Sequence, residues 1–252
     1  MTEKSLNINS VYQGDCLELM KSIPDASVDM ILCDLPYGTT QCKWDTIIPL
    51  DPLWAEYRRV AKRNAAIVLT AAQPFTSVLI GSNLKEFKYT WVWEKSKATG
   101  YLNAKKMPMR AHENVCVFYR KPPVYNPQMR QSTPYNKGSA HRPTEVYGKQ
   151  KEVLVKNDTG LRYPRTVQYF KTAESEGKVY HPTQKPVSLF KYLIQTYSNE
   201  GDVVLDTCLG AGTTALAAIE CGRNFIGMEL EQKYVDISRE RIKDLKIKLD
   251  LP

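Results

Sequence analysis

Histidine is scarce in this 252-residue chain: three are present, at 112, 141 and 181, and the six cysteines (16, 33, 42, 116, 208 and 221) form no C-x-x-C pair. A zinc site would need more ligands at closer spacing, and nothing suggests a disulfide framework. The cysteines read as reduced, mostly buried thiols. No run reaches the ~18 apolar residues of a spanning helix. The opening MTEKSLNINS lacks the apolar stretch and the cleavage site of a secretory signal. The expected location is the cytoplasm.

Acidic residues are sparse in the middle of the chain. Residues 85–185 hold 20 Lys or Arg against 8 Asp or Glu, a surplus of +12, while the whole chain carries +8 and the remainder therefore −4. A basic middle on a slightly acidic frame fits a polyanionic partner, nucleic acid first. A merely solvated basic surface would give the same charge. Tyr125, Tyr135, Tyr147, Tyr163 and Tyr169 are interleaved with it, which suits contact with bases as well as phosphates.

Hydrophobic periodicity alternates strand and helix. VYQGD, VDMILCD, AAIVLTA, FKYTWVWEK and HENVCVFYRK read as strands, and CLELMKSI and DPLWAEYRRVAKR (51–63) as helices. After HPTQKP (181–186), the helix VSLFKYLIQTYS, the strand VVLD, a glycine turn, the helix TTALAAIECG, the strand NFIGME and a long charged helix follow. This order predicts an α/β fold with a mostly parallel sheet covered on both faces. Between 122 and 180 the pattern dissolves into Pro, Ser, Asn and Tyr, too long a connection for a compact domain without a purpose. The expected organisation is one domain from 1–121 and 181–252, with 122–180 inserted.

VVLDTCLGAGTTALAA joins a strand to a helix start. Gly210 and Gly212 would let the backbone approach a ligand at the helix N-terminus. Glu229, at the end of the next strand, is placed to accept ribose hydroxyls, so an adenosine-containing cofactor is expected. Gly210, Gly212 and Ala215 also satisfy the short dinucleotide pattern. A nicotinamide enzyme would continue through further βα units, whereas only about 20 residues follow Glu229, and it would leave the basic middle without a use.

The stretch CDLPYGTTQCKWD (33–45) ends an apolar strand in an acid, a proline and a tyrosine. With S-adenosylmethionine as cofactor and DNA as partner, each residue has a use. An exocyclic amino group is a poor nucleophile because its lone pair is delocalised into the ring. The Asp34 carboxylate and the Leu35 carbonyl can accept its two N–H groups and localise that lone pair. Pro36 restricts Leu35 to extended conformations, and Tyr37 can stack on a base flipped out of the duplex.

D-L-P-Y resembles the D/N/S-P-P-Y/F/W motif of the amino-group DNA methyltransferases. D-T-C-L-G-A-G-T-T is similar to their cofactor loop, and F-I-G-M-E-L to their acidic strand end. HPTQKP, W-x-K-x-x-x-x-G-Y-L-N and P-M-R-A-H-E-N-V-C-V-F also match. The catalytic tetrad precedes the variable region and the cofactor loop comes last, the order of the circularly permuted β class. Leu35 replaces the usual first proline, and Thr207 and Cys208 alter the cofactor loop.

The resemblance implies an S-adenosylmethionine-dependent, Rossmann-like fold with a seven-stranded sheet and an inserted target-recognition region at 122–180. It implies catalysis by Asp34, Leu35, Pro36 and Tyr37. The cofactor would be held by Asp15, Cys16, Asp34, Thr183, Lys185, Asp206, Gly210, Gly212, Thr213, Thr214, Glu229 and Leu230. Asp15 also suits a helix cap, Asp206 a turn brace, and His181 the orientation of its loop. The DNA-facing charges would include Lys105, Lys106, Arg110, Arg130, Arg142, Arg162 and Arg165. Asp34 at the head of the tetrad favours N6 of adenine, N4 of cytosine being the alternative. RNA or protein-glutamine methylation and an inactive nucleic-acid-binding module are the remaining readings. Duplex DNA, a homodimer and a cognate restriction endonuclease are the implied partners, with action at the nucleoid.

Overall fold

The computed structural model of the chain describes residues 5–40, 42, 45–140, 148 and 153–250. Arg142, one of the expected DNA-facing charges, lies outside the described residues.

VDMILCD forms strand β2 (Val28–Asp34), and its alternation decides the layering. Met30 and Leu32 enter one apolar cluster, and Ile31 and Cys33 enter the other. A strand apolar on both faces has to be covered twice. One cover is α4 (Val187–Tyr197), α5 (Thr213–Glu220) and α6 (Gln232–Lys248); the other is α1 (Cys16–Met20), α2 (Leu50–Val60) and α3 (Phe75–Ser82). Trp54, Tyr57 and Phe118 fill the second layer and Phe190, Tyr197 and Phe225 the first, each almost wholly buried. Burial on this scale contributes roughly 1.5–3 kcal/mol per large side chain.

Among the described residues the sheet has eight strands: β1 (Ser10–Gln13), β2, β3 (Ala61–Ala71), β4 (Phe87–Thr99), β5 (Arg110–Phe118), β10 (Val167–Phe170), β11 (Val203–Asp206) and β12 (Asn224–Glu229). Their spatial order is β1-β12-β11-β2-β3-β5-β4-β10, and only β5 runs antiparallel to its neighbours. The mostly parallel α/β sheet expected from the sequence is present. The count exceeds the expected seven by β10, whose four residues lie in the stretch that showed no periodicity. VQYF is an edge strand too short to display a pattern.

A second compact unit spans Pro127–Arg165, within the 122–180 set apart by composition. It contains β6 (Arg130–Gln131) paired with β9 (Leu161–Arg162), and β7 (Tyr135–Ala140) paired with β8 (Val153–Asn157). The helix expected over 51–63 stops at Val60. There the Arg120 guanidinium donates to the carbonyls of Arg58, Ala61 and Lys62, and the chain turns directly into β3. Among the described residues no helix is long and apolar enough to cross a membrane.

Candidate active site

Parallel strands bring their carboxyl ends to one edge of the sheet, where open α/β folds bind ligands. There β1 leads into Asp15, β12 ends at Glu229, β11 at Asp206 and β2 at Asp34. A cavity of about 380 Å³ opens along that edge. Asp15, Cys16, Asp34, Leu35, Pro36, Thr183, Lys185, Asp206, Gly210, Thr213, Thr214, Glu229 and Leu230 all line it.

Gly212 does not line this cavity. Its φ is 90°, and a Cβ there would stand 3.0 Å from the Ser238 Cβ, so the residue is small because α5 starts against α6. Gly210 does line the cavity. Its φ is 54°, and no neighbour lies within 4 Å of where its Cβ would stand. Glu229 braces this turn: its Oε2 accepts the Gly210 N–H at 2.8 Å and its Oε1 the Glu231 N–H at 2.9 Å. Burial still raises the Glu229 pKa. Each oxygen keeps a lone pair for a further donor.

Asp206 is buried and accepts the Thr214 hydroxyl and, at 2.9 Å, the Cys208 N–H. Burial outweighs these donors and pushes its pKa up to about 7. The turn-bracing role weighed for Asp206 is therefore present in its contacts. Asp15 caps α1, its Oδ1 accepting the Leu17 N–H at 2.8 Å, and it also faces the cavity. Beside it, the neighbouring Cys208 thiol lowers the Cys16 pKa. In HPTQKP, His181 Nδ1 accepts the Thr183 N–H at 3.2 Å and the ring stands edge-on to Tyr234. Burial lowers the His181 pKa, which favours the neutral ring that such acceptance requires.

The carboxylate of Asp34 is engaged on both oxygens. Oδ1 accepts the hydroxyls of Thr70 and Tyr37, the latter at 2.7 Å. Oδ2 pairs with Lys185 Nζ at 2.7 Å. The ammonium of Lys185, one of the residues expected to hold the cofactor, lies on Asp34 and 3.5 Å from Glu113 Oε2. Lys95 Nζ completes the group at 3.1 Å from Glu113 Oε1. Burial opposes charge on Glu113, but Lys185 and Lys95 outweigh it and hold its pKa below the usual range. Tyr37 is not a lining residue. Its ring stacks on Phe75 with centroids 5.4 Å apart, and Lys185 Nζ lies 5.3 Å from the ring centroid.

Thr70, Lys95 and Glu113 were given no role from the sequence, because strand register alone assembles them. Asp34 pairs with Thr70 across β2 and β3, and Trp93 with Glu113 across β4 and β5. Lys95 and Glu113 do lie inside W-x-K and P-M-R-A-H-E-N, the one signal that could have found them. Asp45 was also missed. Its carboxylate accepts the N–H groups of Gly38, Thr39 and Thr40 at 2.9, 2.9 and 2.7 Å, fixing the loop that places Ile47, Ile48 and Pro49 on the cavity wall.

The expected DNA-facing charges divide. Lys105 and Lys106 are exposed on the connection from β4 to β5, with the exposed Tyr101, Leu102 and Met107, and Arg110 is exposed at the start of β5. In the second unit Arg130 and Arg165 are exposed. Arg162 is turned inward, with its guanidinium 4.4 Å from the Tyr135 ring centroid and bonded to the Thr133 carbonyl.

Comparison with known proteins agrees with this geometry. The type II methyltransferase M.HinfI of Haemophilus influenzae is 28% identical over 279 residues, covering 98% of this chain and 72% of its own. The M1.HpyAVI–SAM complex shares the fold with a TM-score of 0.64 at 23% identity, covering 92% of this chain and 98% of that one. The cytosine-N4-specific PvuII DNA methyltransferase gives a TM-score of 0.66 at 17% identity, covering 98% and 94%. The model of the N6/N4 DNA methylase family matches residues 28–240, from the start of β2 into α6. The chain belongs to that family and is a DNA methyltransferase.

Proposed function

We propose that this protein uses S-adenosylmethionine to methylate the N6 amino group of an adenine flipped out of duplex DNA, as a β-class, circularly permuted enzyme. The observation that carries the reading is the sharing of one cavity by Asp34, Leu35 and Pro36 with Asp15, Glu229 and the Gly210 turn. The residues present suit the cofactor: Glu229 keeps lone pairs for ribose hydroxyls, Gly210 leaves its side of the turn open, and the α5 N-terminus adds amides. Bound there, S-adenosylmethionine supplies an electrophilic methyl group.

The chain's own part is to make the amine nucleophilic. Asp34 Oδ2, which receives Lys185 in this structure, is the oxygen that takes one amino N–H. The Leu35 carbonyl takes the other; its buried side chain anchors the peptide and Pro36 keeps it extended. The Asp34 charge then stabilises the positive charge developing on nitrogen. Thr70 orients the carboxylate from the opposite oxygen. Asp34 at the head of the tetrad supports adenine over cytosine.

We assign target recognition to the Pro127–Arg165 unit and its flanks, and phosphate contact to the exposed lysines and arginines named above. A homodimer and a cognate endonuclease rest on the resemblance alone; sedimentation velocity at micromolar concentration tests the first. Modification-sensitive sequencing of DNA from cells expressing the protein tests the central reading. N6-methyladenine at one recurring word is expected. N4-methylcytosine would move the target to the other base, and unmodified DNA despite tight duplex binding would leave an inactive binding module.

A further inference from the structure

Four buried or largely buried charges form one chain across the site: Lys95, Glu113, Lys185 and Asp34. The Lys185 ammonium sits where the proposed reaction needs the amine. It donates to Asp34 Oδ2 at 2.7 Å and lies 5.3 Å from the centroid of Tyr37, the ring assigned to the flipped base. It is also cationic, as the amine becomes when the methyl group arrives. While it stays there, a second cation developing on the same carboxylate is opposed by like charge.

Glu113 offers it another place. Glu113 Oε1 is held by Lys95, but Oε2 is buried and accepts no hydrogen bond among the described residues. Lys185 Nζ is already 3.5 Å from that oxygen. A charge-assisted bond needs ~2.8 Å, so the ammonium has less than about 1 Å to travel. The Lys185 backbone need not move, being fixed by the Thr213 hydroxyl on its carbonyl and by Pro186 at the start of α4.

We infer that Glu113 is a positioning residue: it receives the Lys185 ammonium when the target amine arrives, freeing Asp34 Oδ2 for that amine. This rests on Asp34 being the amine acceptor. In the resting protein Lys185 neutralises Asp34. In the working complex it joins Lys95 on Glu113, and the cation developing on the amine takes its place at Asp34. No proton or bond changes hands in the shift; one ammonium moves between two carboxylates.

The test is a double-mutant cycle read by single-turnover methylation of one defined duplex, with cofactor affinity measured separately by calorimetry without DNA. Glu113→Gln should slow the step on the order of 10²-fold, the scale of a lost preorganised partner, and leave cofactor affinity unchanged. In a Lys185→Met background the same Glu113 change should have no effect, because there is no ammonium to relocate. Wild-type rate in Glu113→Gln overturns the proposal, as does an equal loss in both backgrounds, which would mark Glu113 as structural. Loss of cofactor binding, or of all turnover, in Lys185→Met also overturns it. If Glu113→Gln does not fold, Glu113→Asp, which keeps the charge but retreats from Lys185, is carried through the same two backgrounds under the same criteria. A wild-type protein that methylates no DNA amine would refute the reading of Asp34 itself.

Discussion

Tyr37 donates its hydroxyl to Asp34 Oδ1 at 2.7 Å, so the first and last residues of the D-L-P-Y tetrad are bonded to each other. Burial, with the Asp34 charge beside it, raises the Tyr37 pKa well above 10 and keeps that proton in place. Ring and hydroxyl can be separated experimentally. Tyr37→Ala should weaken capture of the flipped base by about 1–3 kcal/mol of lost stacking, read as reduced fluorescence of 2-aminopurine at the target position. Tyr37→Phe should retain that signal and lower the single-turnover rate less than Tyr37→Ala does.

Glu229→Ala should weaken S-adenosylmethionine binding by roughly 1.5–3 kcal/mol, the range for hydrogen bonds to a charged group. Turnover at saturating cofactor should change little, since ribose contacts are the same before and during methyl transfer. Calorimetry and single-turnover kinetics separate the two. A fall in kcat with unaltered affinity would contradict the assignment.

Asp206 makes stability depend on pH. Its folded pKa of about 7 stands above the ordinary 3.8 because it is buried. The neutral acid is favoured by folding, so its contribution is complete below about pH 3.8 and is lost as pH rises through 7. The difference amounts to roughly 4 kcal/mol at most. Asp206→Asn should therefore gain stability relative to wild type as the pH rises from 4 to 8, followed by denaturant melts at each pH. A constant difference between the two proteins would show that burial does not raise this pKa.

The contrast between Asp34 and Thr70 explains what could be read from the sequence. Asp34, Leu35, Pro36 and Tyr37 are consecutive, and the glycine turn with Glu229 follows a strand–turn–helix order, so their chemistry is written locally. The two-sided burial of VDMILCD and the alternation of strands with helices were equally legible. Thr70, Glu113 and Lys95 reach Asp34 only through the pairing of β2, β3, β5 and β4, and pairing partners far apart in sequence leave no local pattern. The contact of Gly212 with Ser238 of α6 was illegible for the same reason.

Lys105 and Lys106 should each contribute to phosphate binding. Replacing either with Gln is expected to flatten the salt dependence of duplex affinity by about 0.9 in log–log slope. Arg162→Gln should instead lower the stability of its own unit, because its guanidinium is bonded inward. Affinity titrations across salt concentration check the first, and limited proteolysis the second. An unchanged slope for both lysines would place the phosphate contacts elsewhere.

The acceptor role of Asp34 is tested most directly by single-turnover methylation of one defined duplex by Asp34→Ala. The variant should fold, since Lys185 retains Glu113 as a partner, and it should bind the duplex through phosphate contacts elsewhere. Its rate should fall by at least ~10²–10³, about 2.7–4 kcal/mol of lost transition-state stabilisation. A folded Asp34→Ala protein that methylates at a near-normal rate would contradict the account.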